Sequence, residues 1–541
     1  MIGEGRLRWP MLVLGGFFCV LALAVVVFGA HHVDEGYYHL IARLTAEGRL
    51  PYRDYLYVQT PLYPLVYGML FRVFGSSLLM ARGYSAFFSL LTFLMAVRIA
   101  RTQRGDAAAV ITAGLILCQP YTLYYMGIIK LYAMSGLLLT GVIFCLTRSF
   151  RPGVRYPLAV AVAALAVATR LTLLPAVPVI VLLAFCRSPR HTRWRIAAFT
   201  AGTGLAVLAA MIGPFVWFSS DTFWYSVVGY HLDKESYSLI RQILHKADVI
   251  SRLCRLYGLI IAAMGTVLIT HVQDRFADRH RPLDDLRKTS PSIGTGDAFW
   301  VLASIITFHF TSQEPYIHRY LAMTIPAIAA VLGPEIDRLA DRLPRAAFPV
   351  PASVGGMVLI LVFVGAGQSK LIWKPNPVTY LKAVAMEIGA VTGAGDEILT
   401  FNNSIAVEAD RNVLPGDEMN VLTYDTEWDR NRCGQFHVLN VEMLEDAICT
   451  SRLRAILITR YSFIGNFPTF YNPGEIGARP RIMASIEKHY HRINTFPGFG
   501  YLGEDAELYL PLMRKPVTGD AGSESEPAVQ IYKYEYSGAM R

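Results

Sequence analysis

The sequence predicts a polytopic α-helical membrane protein of about eleven spans, followed by a C-terminal extracytoplasmic α/β domain. Three observations carry this reading. Only 17% of the 541 residues are charged while 53% are hydrophobic, whereas a soluble domain devotes about a quarter of its residues to charge. The apolar residues form long uninterrupted blocks rather than amphipathic periods. Basic clusters then occupy every second loop between those blocks, the pattern of cytoplasmic loops.

The apolar segments run over 11–30, 77–97, 107–125, 127–147, 156–169, 171–186, 196–218, 256–271, 297–311, 318–333 and 346–367. Arg6 and Arg8 precede the first, Arg98, Arg101 and Arg104 follow the second, and Arg148, Arg151 and Arg155 follow the fourth. This alternation puts the N-terminus in the cytoplasm. Residues 11–30 also fit a signal peptide, but His31-His32-Val33-Asp34 makes a poor cleavage site, so the segment reads as an anchor. The stretch 156–186 is apolar except for Arg170. As one helix it would set two arginine clusters on opposite sides. Splitting it at Thr169-Arg170 restores the charge rule, leaves two spans below the usual ~20 residues, and puts Arg170 on the outer side. The Asp34-Glu35 loop, Lys130, the 219–255 loop, Thr311–Tyr320 and everything after Trp373 then share that side.

A net charge of +9 does not indicate nucleic acid, because the basic residues lie in short inter-span clusters. The chain changes character at Trp373-Lys374-Pro375-Asn376-Pro377, which divides it into a membrane domain, 1–370, and an outer domain, 371–541. Strand-like runs at Glu397–Phe401, Ala455–Thr459, His491–Phe496, Ala506–Leu510 and Val529–Tyr534 alternate with helical stretches near 438–448 and 478–489, an α/β pattern. Lys515–Pro527 reads as a surface loop. Of seven cysteines, Cys433 and Cys449 are the pair in this outer domain, and a disulfide between them is expected.

The richest motif is His31-His32-Val33-Asp34-Glu35-Gly36-Tyr37-Tyr38, with two carboxylates where a span ends. Acids there neither anchor a helix nor set topology, so they point to function, against the plain alternative of a solvated acidic turn. Tyr37–Gly48 follows as an interfacial amphipathic helix. Pro51-Tyr52-Arg53-Asp54-Tyr55 and Thr60-Pro61-Leu62-Tyr63-Pro64 suggest a rigid turn and a second short helix ending near Gly75.

An acidic pair in the first outer loop, an interfacial helix and a Pro-Leu-Tyr-Pro opening resemble the lipid-sugar-dependent glycosyltransferases of the GT-C class. Within that class the likeness is to bacterial relatives of protein O-mannosyltransferases and to the lipid A aminoarabinose transferase. It covers most of 1–370 as architecture, and as motif identity only about 34–75 and 311–326. Asp34-Glu35 is similar to the Asp-Glu of the mannosyltransferases' first loop, and His318-Arg319-Tyr320 with Pro326 is similar to their late Arg-Tyr-…-Pro. The mannosyltransferases' β-trefoil has no counterpart here, which argues against carrying over a protein acceptor.

The resemblance implies an integral-membrane inverting transferase that moves a hexosyl or pentosyl unit from a polyprenyl-phosphate donor. The acceptor is a glycan, lipid or protein of the cell envelope, met on the extracytoplasmic face of the plasma membrane. Such transfer needs a base for the acceptor hydroxyl and cations for the departing phosphate. Asp34 is the candidate base, its proton affinity raised by burial beside a second acid, and Glu35 orients the acceptor or serves as the base itself. Arg170 and Arg319 are the candidate phosphate ligands, with Lys130, His318 and Tyr320 beside them; each also fits a snorkelling anchor. Tyr37, Tyr38, Tyr63 and Tyr125 are candidates for a substrate groove, with an aromatic belt as the alternative.

No metal or other cofactor is expected. The competing reading is a divalent cation on His31, His32, Asp34 and Glu35, completed by His231 or Glu314. A transporter or flippase of lipid-linked sugars is the rival function, but it would favour paired repeats and broken helices at the midplane. A polytopic scaffold is a third option and leaves the acidic loop without a purpose.

Overall fold

The computed structural model describes residues 8–232, 239–277, 293–311, 317–341, 378–419, 428–460, 462–463, 479–501 and 503–512. The expected span 346–367, the loop Lys515–Pro527, the strand Val529–Tyr534 and Glu314 lie outside them.

Ten of the eleven apolar segments fall on helices. They are α1 (Arg8–Phe28), α4 (Leu78–Arg104), α5 (Asp106–Leu117) with α6 (Pro120–Gly127), α7 (Tyr132–Thr147), α8 (Pro152–Thr169), α9 (Ala176–Arg187), α10 (Arg193–Phe218), α13 (Leu239–Ala277), α14 (Ile293–Thr311), and α15 (Ile317–Tyr320) leading into α16 (Ile325–Ala340). Among the described residues six helices are long and apolar enough to cross a membrane, or seven with α5–α6 taken as one bent span. Leu12, Val13, Val20 and Leu23 of α1 and Phe199, Leu205 and Trp217 of α10 are exposed. Outward apolar stripes of this kind suit lipid rather than water.

Local chemistry explains the helix boundaries. Ser77 caps α4 by accepting from the Met80 amide, and Pro152 opens α8 where its missing N–H costs nothing. Gly105 links α4 to α5 at φ +87°, a conformation that glycine adopts freely. The segment expected as one span over 107–125 is instead bent by 75° at Cys118-Gln119, because Pro120 cannot donate to the preceding turn. The division at Arg170 is seen: α8 ends there, and a 3₁₀ turn, Leu171–Leu173, precedes α9.

Two short helices precede the bundle proper. The first, α2 (Val33–Ala46), starts four residues earlier than the sequence suggested, so the acidic pair lies inside its first turn rather than in the loop before it. The second, α3 (Leu62–Phe74), opens at Pro61-Leu62-Tyr63-Pro64 as expected. Residues 220–232 form two brief helices, α11 (Ser220–Trp224) and α12 (Tyr230–Leu232), around one π-helical turn.

The C-terminal region begins with α17 (Val378–Val391) and builds one mixed five-stranded sheet. Its strands are β1 (Glu397–Thr400), β2 (Asn412–Val413), β3 (Ala455–Thr459), β4 (Tyr490–Phe496) and β5 (Ala506–Pro511), in the order β2-β1-β3-β5-β4. β1 is parallel to β2 and β3, while β5 runs antiparallel to β3 and β4. Every residue of β3 is buried, as a central strand covered on both faces requires. Helices α18 (Asn403–Glu408), α19 (Arg430–Phe436), α20 (Val441–Cys449) and α21 (Arg479–His489) complete the layer.

The expected Cys433–Cys449 disulfide is not formed. Cys433 is buried in α19 with its sulfur on the Trp428 carbonyl at 3.8 Å, while Cys449 is exposed at the end of α20. Helix phase turns the two side chains into different surroundings. Sequence separation alone cannot show that.

Candidate active site

The charges converge because each stands at a helix end or a helix break, where backbone geometry lets a polar side chain turn away from lipid. Asp34 is in the first turn of α2, Lys130 lies between α6 and α7, Arg170 between α8 and α9, and Arg319 in α15.

His32 is the N-cap of α2. Its Nδ1 accepts from the Asp34 amide at 3.1 Å, and Glu35 Oε2 accepts the His32 amide at 3.0 Å, a reciprocal capping box. Accepting at Nδ1 places any proton of a neutral ring on Nε2, which lies 3.3 Å from the Tyr125 hydroxyl. Burial and then the Lys130 charge hold His32 well below the usual histidine range, so it stays neutral.

Glu35 faces away from its neighbour. Its carboxylate forms a two-pronged pair with Arg82 of α4, at 2.8 Å from Nε and 2.6 Å from Nη2, and both side chains are fully buried. The Ile129 amide at 3.2 Å and the His31 ring at 3.0 Å also meet its oxygens. Arg82 Nη1 reaches Gly29 O at 2.9 Å and Nη2 reaches Ala30 O at 3.3 Å, just beyond the C-terminus of α1, where helix carbonyls lack partners. Against burial, Arg82 and His31 keep the Glu35 carboxyl well below the usual carboxylate range.

Asp34 points the other way, with 32% of its side chain exposed and Oδ2 at 2.5 Å from the buried Lys130 ammonium. Burial favours its neutral form, but the Lys130 ammonium, by its charge and its hydrogen bond, and the Arg319 charge outweigh it and depress the Asp34 carboxyl well below the usual range. The expectation that a second acid raises its proton affinity is therefore overturned. Glu35 is turned onto Arg82, and a lysine takes the place beside Asp34. Lys130 also lies 3.5 Å from His32 Nδ1, with its ammonium 5.2 and 5.1 Å from the ring centres of Tyr125 and Tyr132.

Arg170 is buried, with its guanidinium 4.0 Å over the Tyr320 ring, 5.5 Å from that of Tyr132, and its Nε donating to Thr172 Oγ1 at 2.9 Å. Tyr38 ties this cation to the acid: burial, then the Asp34 charge, push its phenol pKa up, while the Arg170 charge opposes them. Asp34, Lys130, Arg170, Arg319, Tyr320, Tyr38 and Tyr125 thus share one region. Three further candidates border this region: the rings of Tyr37 and Tyr63 lie 5.0 and 5.2 Å from that of Tyr38. Tyr37 accepts the Val58 amide at 3.1 Å, and Tyr63 stacks fully buried on Tyr67 at 4.3 Å. His318 is buried with its ring 6.0 Å from Tyr121 and its carbonyl accepting from the Tyr257 hydroxyl at 2.8 Å.

Among the described residues no group of three or more His, Cys, Asp or Glu side chains forms a metal-binding cluster. His31 is engaged with Glu35, and His231 Nε2 lies on the Val58 carbonyl at 2.9 Å.

Two residues escaped the sequence reading. Arg82 is a lone cation inside an apolar segment, and that signal was present. Tyr501 comes from the C-terminal domain with its hydroxyl 3.3 Å from the Val33 carbonyl, and no local pattern marks it.

No family model matches the sequence, and no curated protein does so significantly. Among solved structures, ArnT from Cupriavidus metallidurans bound to undecaprenyl phosphate is similar, with a TM-score of 0.59 at 13% identity, covering 93% of this chain and 98% of that one. The apo state of that protein gives 0.59 at 14% identity, with 92% and 97% covered. The apo Archaeoglobus fulgidus oligosaccharyltransferase gives 0.49 at 12% identity, with 92% and 74% covered. Because the ArnT likeness runs through the membrane helices and the C-terminal sheet alike, the chain is a multi-pass membrane protein with the GT-C fold.

Proposed function

We propose that the protein is an inverting glycosyltransferase that takes a sugar from a polyprenyl-phosphate donor and delivers it to an envelope acceptor on the extracytoplasmic face. The observation that carries this reading is the Asp34–Lys130 pair, a partly exposed carboxylate on a buried ammonium, set in a region that Arg170 and Arg319 share. Arginine and lysine side chains in a partly dry place bind an anion through charge-assisted hydrogen bonds, and a lipid phosphate is such an anion. The ArnT fold, solved with undecaprenyl phosphate, makes that anion the natural choice.

The residues divide the work as follows. Arg170 holds a phosphate oxygen by its planar fork, kept in orientation by Tyr320 and Thr172, and Arg319 adds a second charge. Lys130 belongs to both partners: while it neutralises Asp34, that carboxylate is a weak base. The arriving phosphodiester monoanion of the donor competes for the ammonium, and as Lys130 turns to it the proton affinity of Asp34 rises. The acceptor oxygen then attacks the anomeric carbon, its proton passes to Asp34, the carbon–oxygen bond to phosphate breaks, and polyprenyl phosphate leaves against the cations. Glu35 is a positioning residue that fixes the first turn of α2 through Arg82.

The test is mass spectrometry of envelope glycans and lipids from cells lacking the protein, complemented with wild type or with Asp34→Asn. Wild type should restore a species heavier by one hexose or pentose. The variant should lower the transfer rate by about 10²–10⁴-fold while remaining in the membrane. Because Asp34→Asn strands the Lys130 charge, Asp34→Asn with Lys130→Met serves as the folding control. Normal transfer by either would remove Asp34 from the chemistry.

A further inference from the structure

The C-terminal domain grips α2 along its whole length. At the first turn the Tyr501 hydroxyl lies 3.3 Å from both the Val33 carbonyl and the Phe401 carbonyl, and its ring lies 6.1 Å from that of His31, nearly parallel to it. One turn on, Gly36 packs so closely on the start of α18 that a Cβ there would stand 2.6 Å from Asn402 Oδ1 and 2.7 Å from the Asn403 amide. At the far end Arg43 donates to the Arg411 carbonyl at 3.0 Å and the Ala406 carbonyl at 3.3 Å, and pairs with Asp410 at 3.0 Å. The same domain reaches α4, because the Glu408 carboxylate accepts the Leu78 amide at the start of that helix. Four residues later α4 carries Arg82, the partner of Glu35.

The domain therefore holds both helices that carry the Glu35–Arg82 pair, and it meets the catalytic turn one residue from Asp34. We infer that the C-terminal domain is part of the active-site scaffold, and that Tyr501 is a positioning residue for Asp34 acting through the Val33 carbonyl. This rests on the transferase reading. Its physical basis is that proton transfer to an acceptor oxygen tolerates little misplacement, with ~1 Å costing on the order of 10²-fold in rate. A hydroxyl that anchors the neighbouring carbonyl limits how far the first turn of α2 can rotate. The domain need not touch the substrate to control the rate.

Tyr501→Phe tests this, because it keeps the ring against His31 and Phe401 and removes only the hydroxyl. Full-length wild-type and variant proteins in lipid nanodiscs are compared in two ways. The first is transfer, with a lipid extract of the source-cell membranes titrated as donor. The second is hydrogen exchange of the α2 amides, which needs no substrate. The expected result is a fall in kcat of about tenfold with the donor KM unchanged, and faster exchange confined to the first turn of α2. An unchanged kcat, or a raised KM at constant kcat, would overturn the positioning role; the latter would make Tyr501 a substrate contact. If the wild type transfers nothing, the functional reading fails, and the anchoring is decided by exchange alone: unaltered protection of the first turn refutes it.

Discussion

Glu35 and Arg82 show how one buried ion pair can be structural while its neighbour stays available for chemistry. Each is fully buried, and the pair is bidentate. Desolvating two charges offsets most of their attraction, so the pair adds little net stability, yet removing one partner leaves an uncompensated buried charge. Glu35→Gln should therefore destabilise the protein by about 3–5 kcal/mol, whereas Asp34→Asn with Lys130→Met should cost much less, since Asp34 is partly exposed. Thermal unfolding in detergent separates the two. Equal losses would place both acids in the same structural role. Arg82→Leu should behave like Glu35→Gln and release the end of α1 as well.

At the scale of elements, the breaks in the helices are what make the site. Pro120 bends α5–α6, Ile128–Leu131 interrupts the chain before α7 and brings Lys130 inward, and Arg170 ends α8 with extended backbone. A charge inside a continuous helix must find its partner on a neighbouring element, as Arg82 does on Glu35, or else face lipid or snorkel. Arg170 has a further constraint in its stacking over Tyr320. Lysine would keep the charge but lose the fork and the stacking. Arg170→Lys should raise the donor KM by about tenfold, equivalent to about 1.4 kcal/mol, with a smaller change in kcat. Titrating the donor in a transfer assay checks it, and an unchanged KM would remove Arg170 from the phosphate site.

For the whole molecule, docking of the C-terminal domain carries a pH signature. Asp417 and Glu418 are buried in that domain; burial raises both carboxyls, and that of Glu418 reaches about 7. The Glu418 carboxylate accepts the Gly416 amide at 3.0 Å, and the charge of Arg49, just after α2, opposes its upward shift. A carboxyl whose folded pKa exceeds its unfolded one binds more protons when folded. Its contribution is fully present below the unfolded value near 4.5 and is lost as pH rises through about 7. Wild type should thus lose thermal stability between pH 5 and 8 relative to Glu418→Gln, which cannot ionise. Unfolding curves of the two proteins across that range decide it, and parallel pH profiles would show that Glu418 is not the group responsible.

Much of this architecture was legible in the chain. Apolar blocks located ten helical segments, the lone Arg170 marked a hairpin, and the alternation of Ala455–Thr459 and Ala506–Leu510 with helices described a sheet. These features depend on residues close in sequence: hydrophobic runs, prolines, charges between spans. The acidic pair was also visible, because two carboxylates at a span boundary are costly wherever the chain goes next. Which way each acid turned was not. Asp34 and Glu35 are adjacent, and helix geometry sends neighbouring side chains in different directions, so their partners come from Lys130 and Arg82 at distant positions. The sequence placed two acids together and so suggested a raised pKa; the tertiary structure gave each its own cation and lowered both. Cys433 and Cys449 failed to pair for the same reason, since helix phase and packing set where a side chain points. Tyr501, more than four hundred residues from Val33, could be found only in the fold. Local sequence determined the elements and the charges available, and tertiary packing decided which charges meet, because that depends on long-range contacts.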